Sequence, residues 1–182
     1  FGKAPEVAAK SPMLRILGGG FEQSIRMVAS ALGFDLDPAL RTQHEMAVAT
    51  APIDSPAGTL APGTVAAQRF SWQGTVRGEP VVTAAVNWLM GEEHLDPPWN
   101  FGPERERFEI EIDGDPPAKV TFHGLHPTDQ RAARKRNPGI VATAIHCVSA
   151  IPFVCRAEPG ILSYLDLPLV HGRADASLAR PR

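Results

Sequence analysis

Residues 64–90 read TVAAQRFSWQGTVRGEPVVTAAVNWLM, and their alternation decides the fold class. Phe70, Trp72, Val86 and Trp88 share one parity, while Arg69, Thr83 and Asn87 share the other. That period of two is the signature of half-buried strands. Gly78-Glu79-Pro80 separates the two runs, so residues 64–77 and 81–90 are expected to form a long β-hairpin. Pro80 has no N–H for the ladder, which favours a three-residue loop with Arg77 opposite Val81. Phe70 then faces Trp88 and Trp72 faces Val86, collecting the aromatics on one side.

Upstream, the period changes. Leu14, Leu17, Phe21, Ile25, Val28 and Leu32 recur at helical spacing behind Ser11-Pro12, an N-cap followed by proline at the first helical position. Gly33 supplies the stop, so one helix is expected over residues 12–32. Gly18-Gly19-Gly20 lies inside it and weakens it by roughly 3 kcal/mol relative to alanine. Such a run marks a kink or close helix packing, or a backbone surface left bare for a ligand. Residues 44–50 alternate as a strand, and the Pro/Gly/Ser-rich residues 52–62 read as an exposed loop.

Downstream, Phe108, Ile110 and Ile112 alternate with charged residues, Gly114-Asp115-Pro116-Pro117 turns the chain, and residues 119–123 return it. Asn137-Pro138 opens a last helix to Cys155, with an apolar face broad enough to predict burial on much of its circumference. Pro152 should kink or end that helix. The expected class is therefore α+β. It comprises an open antiparallel or mixed sheet of about five strands, a long N-terminal helix and a buried C-terminal helix.

Charge and composition narrow the function. Lys+Arg 18 against Asp+Glu 20 gives a formal charge of -2, which argues against nucleic acid as a partner. No apolar run reaches the ~20 residues of a spanning helix, so no membrane role is expected. Cys147 and Cys155 are too few for a disulfide framework and read as reduced thiols of a cytoplasmic protein. Cys147, at a mid-helix apolar position, reads as core.

Sites are scarce. His123 and His126 are too close, and too far in sequence from Cys or acidic residues, to predict a metal site. The acidic run from Glu104 to Asp115 reads as a solvated strand face. Arg131, Arg134, Lys135 and Arg136 coat a loop, with an anion site at the following helix as the sharper alternative. Neither G-x-G-x-x-G nor G-x-x-x-x-G-K-[ST] is present, and the residues supply no catalytic group of their own.

Three segments carry a resemblance. They are Glu6-Val-Ala-Ala-Lys-Ser-Pro through Ala31-Leu-Gly, Pro62-Gly-Thr-Val-Ala-Ala through Asn87-Trp, and Asn137-Pro-Gly-Ile-Val-Ala-Thr-Ala through Asp166-Leu-Pro-Leu-Val. In this order they resemble the C-terminal half of the 2,4-diaminopentanoate dehydrogenase family. Its members include the native amine dehydrogenases and are often labelled dihydrodipicolinate reductase-like.

The resemblance implies an NAD(P)-dependent oxidoreductase acting on C–N bonds, with a small amine or ketone substrate. It makes residues 1–170 a substrate-binding and dimerisation domain that pairs into a homodimer through its sheet, and residues 171–182 a flexible tail. The chain opens on Phe1-Gly2-Lys3 and reads as a piece of a longer protein. The missing partner would be an N-terminal Rossmann domain holding the dinucleotide loop and the catalytic carboxylate, so this chain alone is expected neither to hold NAD(P) nor to turn over substrate. Matched onto this sequence, the family's pocket-lining helix points to Met13, Leu14, Leu17 and Gly18. Its helix beside the nicotinamide points to Asn137 and Thr143. The ordinary reading makes Leu14 and Leu17 core, Asn137 a cap and Thr143 a helix hydroxyl. Gly18-Gly19-Gly20 departs from the bulkier residues of the family helix and leaves the pocket's size open. The competing reading is a non-catalytic small-molecule-binding or dimerisation module.

Overall fold

A computed structural model describes residues 1–55, 58–103, 106–125, 136–172 and 177. The chain divides into two compact units, Phe1–Asn100 and Phe101–Arg182.

In the first unit a short helix α1 (Pro5–Ala8) precedes α2 (Pro12–Leu32). Ser11 is extended at the N-cap and Pro12 takes the first turn. Gly33 ends the helix in the left-handed conformation at φ 80, where its N–H reaches the Ala29 and Ser30 carbonyls. The strands β1 (Arg41–Ala49), β4 (Val65–Val76), β5 (Glu79–Leu89) and β6 (Leu95–Asp96) form a four-stranded sheet in the order β5-β4-β1-β6. Each neighbouring pair is antiparallel. Residues 52–62 are not the exposed loop expected from their composition. They contain β2 (Ile53–Ser55) and β3 (Gly58–Leu60), a small hairpin that buries Ile53 and Leu60 against Ala47, Ala49, Ala67 and Leu95.

The long hairpin forms, in a different register from the expected one. The strands are joined by a two-residue turn, Arg77-Gly78, with φ 53 and 82, the left-handed pair that matches strand twist. Pro80 does enter the ladder, opposite Thr75, beside a register irregularity at Gly74/Thr75. Phe70 therefore faces Val86 and Trp72 faces Ala84, while Gln68 faces Trp88.

Pro80 sits on β5, the edge strand of the sheet, and the hairpin tip is anchored from outside the hairpin. The Asp37 N–H donates to the Thr75 carbonyl at 2.7 Å. The Asp37 carboxylate in turn accepts from the Thr75 hydroxyl at 2.7 Å, the Gly78 N–H at 2.9 Å and the Arg77 N–H at 3.1 Å. Arg41 donates to the Gly78 carbonyl at 2.7 Å.

At Gly74 the sheet leaves room for nothing larger. A Cβ there would lie 2.8 Å from Leu36 Cδ1 and 2.9 Å from Ile25 Cγ2. Ile25, Phe70 and Trp72 are buried together, flanked by Leu14, Phe21, Leu36, Leu40, Val82, Ala84 and Val86.

In the second unit β7 (Arg107–Ile112) pairs with β8 (Ala118–His123) as a separate two-stranded ladder. The single sheet of about five strands is thus replaced, among the described residues, by a four-stranded sheet and two hairpins. Glu109 and Glu111 are held by Lys119, at 3.0 and 2.7 Å, and Arg107 lies 3.1 Å from Glu109. The helix α3 (Pro138–Val154) contains Pro152 near its end and runs two residues past it. It is not the buried helix that its apolar face predicts. Ala150 is its buried residue, whereas Ile140, Ile145, Val148, Ile151 and Val154 are exposed. Cys147 is likewise exposed, not core. An all-round apolar helix gives a strong burial signal, but burial requires a surface to pack on.

Two outcomes follow. Gly74→Val should destabilise the protein by about 1–3 kcal/mol through overpacking against Ile25 and Leu36, read by urea denaturation. The Thr75 hydroxyl, then the Gly78 and Arg77 N–H groups and the Arg41 charge, hold the Asp37 carboxyl below its ordinary range, against a smaller desolvation effect. A lowered folded value means stabilisation present above about pH 4 and lost as the pH falls through that value. The Tm difference between wild type and Asp37→Asn should therefore be largest near about pH 6 and shrink in acid. A pH-independent difference would remove the carboxylate from this role.

Candidate functional site

The α2-facing side of the sheet is ordered in tiers, each one residue deep across β1, β4 and β5. The first tier is Met46, Gln68 and Trp88, the second His44, Phe70 and Val86, and the third Thr42, Trp72 and Ala84. Phe21 of α2 stacks on Trp72 with centroids 4.4 Å apart and an interplanar angle of 14°. Phe70 continues the stack at 5.8 Å from Trp72. On β1 the His44 ring lies parallel to Phe70 at 4.4 Å and 7°. Trp88 meets Phe70 edge-on at 5.6 Å. Each such aromatic pair contributes about 0.5–1.5 kcal/mol beyond the area buried.

The two ends of this face differ. Toward the hairpin turn it is closed, with Ile25 at 2% exposure and both Phe70 and Trp72 at 5%. Toward the first tier it opens. His44 is exposed, Trp88 is 38% exposed, and between these strands Gln68 is buried at 8%. His44 Nε2 lies 3.1 Å from Gln68 Oε1.

The reverse side of the sheet joins an apolar part, the alanines Ala47, Ala49 and Ala67 under Ile53 and Leu60, to a polar one. There the Arg69 guanidinium donates to Asn87 Oδ1 at 2.8 Å, lies 3.5 Å from Glu45 and sits 4.6 Å over the Trp99 ring.

The residues singled out from the sequence fall in both units. Leu14 packs against the Ile25–Phe70–Trp72 cluster, on the open tiers' side of the sheet. Met13, Leu17 and Gly18 lie on the same helix, and their surroundings fall outside the described residues. In the second unit Asn137 Oδ1 accepts the Ile140 N–H at 3.1 Å as the cap of α3, and the Thr143 hydroxyl donates to the Gly139 carbonyl at 3.1 Å. These two groups stand less than two turns apart at the start of α3. His126 and the basic residues Arg131, Arg134 and Lys135 lie outside the described residues, as does most of the 171–182 tail.

Sequence reasoning missed Gln68 and His44. The available signal was parity, since a glutamine on the aromatic side of an otherwise apolar strand face is out of pattern.

The second unit also carries a cleft of about 310 Å³ beyond α3, lined by Phe153, Arg156, Glu158, Leu162, Asp166 and Pro168. Asp166 is held below its ordinary range by the Ser163 N–H and hydroxyl, each at 2.7 Å. Among the described residues no cluster of His, Cys, Asp and Glu is placed to hold a metal ion, and no helix is long and apolar enough to cross a membrane.

A helix-backed antiparallel sheet with an aromatic inner side, followed by a hairpin-and-helix unit, defines an α+β domain. Residues 15–179 match the sequence profile of the 2,4-diaminopentanoate dehydrogenase C-terminal domain, and the chain belongs to that family. It is 35% identical over 149 residues to an amine dehydrogenase of Streptomyces virginiae, covering 80% of this chain and 39% of that protein. It is 29% identical over 150 residues to the 2,4-diaminopentanoate dehydrogenase of Acetoanaerobium sticklandii, covering 82% of this chain and 37% of that protein. The solved structure of the amine dehydrogenase from Mycobacterium smegmatis is similar with a TM-score of 0.45 and 21% identity, over 80% of this chain and 37% of that one. The chain thus spans about two-fifths of the length of the curated relatives it matches.

Replacing Phe21 by alanine should remove the ring over Trp72 and cost about 2–4 kcal/mol in urea unfolding. An unchanged midpoint would mean that α2 does not hold this side of the sheet.

Proposed function

We propose that this chain is the substrate-binding and subunit-pairing part of an NAD(P)-dependent oxidoreductase acting on C–N bonds. The observation that carries the reading is the family match over residues 15–179, with two relatives named as dehydrogenases of amines. The reaction proposed is oxidation of a protonated amine with NAD(P)⁺ and water to a ketone, ammonium, NAD(P)H and a proton, or its reverse. A nicotinamide, when bound, supplies or accepts the hydride.

The residues of this chain supply position and dryness. Met13, Leu14, Leu17 and Gly18, at the start of α2, are proposed to line the substrate pocket beside the open tiers. Trp88, half-exposed at the open end, offers that pocket an apolar wall for a small amine or ketone. Asn137 and Thr143 are proposed to meet the nicotinamide. Their chemistry fits: Asn137 uses its Oδ1 for the cap and keeps two amide donors, while Thr143 spends its proton on Gly139 and keeps acceptor lone pairs. With no glycine-rich dinucleotide loop in this sequence, the remainder of the cofactor would be held by an N-terminal Rossmann domain. The exposed apolar residues of α3 and of the β7–β8 face, among them Phe108, Ile110, Val120 and Phe122, support contact with further protein surface. A homodimer paired through the sheet, in the cytoplasm, is the proposed state of the whole protein.

The test is made on the full-length protein. Ketone-dependent oxidation of NADH or NADPH in the presence of ammonium is expected. No turnover together with no thermal shift by either nucleotide would sink the reading. Asn137→Ala should lower stability by about 1 kcal/mol through loss of the cap. Asn137→Ser keeps a cap acceptor, so stability should recover while the KM for the nucleotide stays raised several-fold. A normal nucleotide KM in the serine variant would leave Asn137 as a cap alone.

A further inference from the structure

The two edges of the four-stranded sheet are finished differently. On one side β6 covers β1 only at Val48 and Ala49, is two residues long, and is followed by Pro97-Pro98. The rest of that edge carries Arg41 and Glu45. Short strands, prolines and charges are the devices that keep another strand from adding to a sheet. On the other side lies β5, eleven residues long. From Val81 to Leu89 it reads VVTAAVNWL, with no charge, proline or glycine. Among the described residues no strand pairs with its outer edge.

One bond fixes the direction of the backbone groups. The Met90 N–H donates to the Ala66 carbonyl at 2.9 Å, and β5 stays in step with β4 from Leu89 to Val82. Bonded and unbonded pairs alternate in an antiparallel ladder, so Val82, Ala84, Val86 and Trp88 turn their N–H and C=O groups toward β4. Thr83, Ala85 and Asn87 turn theirs outward, and all three residues are exposed. About Ala85 the run is also self-complementary. Reversed on itself, it sets Val81 against Leu89, Val82 against Trp88, Thr83 against Asn87 and Ala84 against Val86, apolar with apolar and polar with polar.

We propose that β5 is the strand through which two copies of this chain join, antiparallel about a two-fold axis at Ala85, in one continuous sheet that doubles the four strands. Ala85 then exchanges both backbone bonds with its own copy, and Thr83 does so with Asn87 of the partner subunit, giving about six ladder bonds in all. On the aromatic side Val82 lies against Trp88 of the partner subunit, covering an indole that is 38% exposed. On the reverse side Asn87 Oδ1 already accepts from Arg69, which leaves the amide donors of Asn87 for Thr83 of the partner subunit. No like charges meet across the axis, because the run holds none. The assignment rests on the reading of this chain as a subunit-pairing domain and names the strand and register of that pairing.

The experiment measures the mass of the full-length protein in solution by light scattering. Wild type should be a dimer. Ala85→Pro removes an outward N–H, which an edge strand tolerates, and should halve the mass. Ala85→Lys keeps the strand conformation, sets two charges against each other at the axis, and should also halve it. An unchanged far-UV circular dichroism spectrum in either variant shows that the fold is kept. With Cys147 and Cys155 replaced by serine, Ala85→Cys should form a disulfide-linked dimer on oxidation. Thr83→Cys, which does not meet its own copy, should not. Dimeric proline and lysine variants, or an Ala85→Cys protein that does not link, would overturn the assignment and leave pairing to another surface. A monomeric wild type would overturn the pairing itself. Mass is read without turnover, so neither result bears on the oxidoreductase reading.

Discussion

One aspartate holds the tip of the β4–β5 hairpin, and the register closed there decides where the aromatic residues lie. The Thr75 carbonyl takes the Asp37 N–H, and the carboxylate of the same residue gathers the Thr75 hydroxyl and the two N–H groups of the Arg77-Gly78 turn. One aspartate thus satisfies the turn, holds Arg77 at positive φ and ties the segment leaving α2 to the hairpin tip. Arg77 has a Cβ and disfavours that conformation, so fixed partners on both flanking N–H groups are what make it tenable.

From that anchor the rest follows by register. With Gln68 opposite Trp88 and Phe70 opposite Val86, Trp72 is left beneath Phe21, and Gly74 beneath Ile25 and Leu36. The helix comes closest where the sheet carries no side chain. Crowding at the hairpin end closes that side, and the polar first tier remains at the other. The same geometry that buries Ile25 to 2% therefore leaves Trp88 38% exposed at the other end. Fold and site are set by a single gradient of packing along one strand face.

Much of this was legible in residue order. Ser11-Pro12 and Gly33 mark the two ends of α2, because proline and left-handed glycine have local conformational requirements that no tertiary contact needs to supply. The two sides of the hairpin were also legible, since parity survives a register change of two. Phe70 and Trp88, expected opposite each other, remain diagonal neighbours in ring contact. The register was not legible, because it depends on Asp37, distant in sequence, and on an arginine adopting φ 53. The β2–β3 hairpin hid in a segment whose Pro, Gly and Ser content signals turns without showing that Ile53 and Leu60 would close over alanines. The exposure of α3 could not be read either, for an apolar helix specifies that it will be covered and not by what. Of the site, the α2 segment was indicated by resemblance, whereas Gln68 and His44 meet only once β1 and β4 are paired.

The account stands on the register of β4 against β5, and solution NMR reads it directly. Backbone proton contacts across the hairpin should link Phe70 to Val86 and Trp72 to Ala84. Contacts linking Phe70 to Trp88 and Trp72 to Val86 instead would contradict it, and with it the placement of Gln68 beside Trp88 at the open end of the sheet.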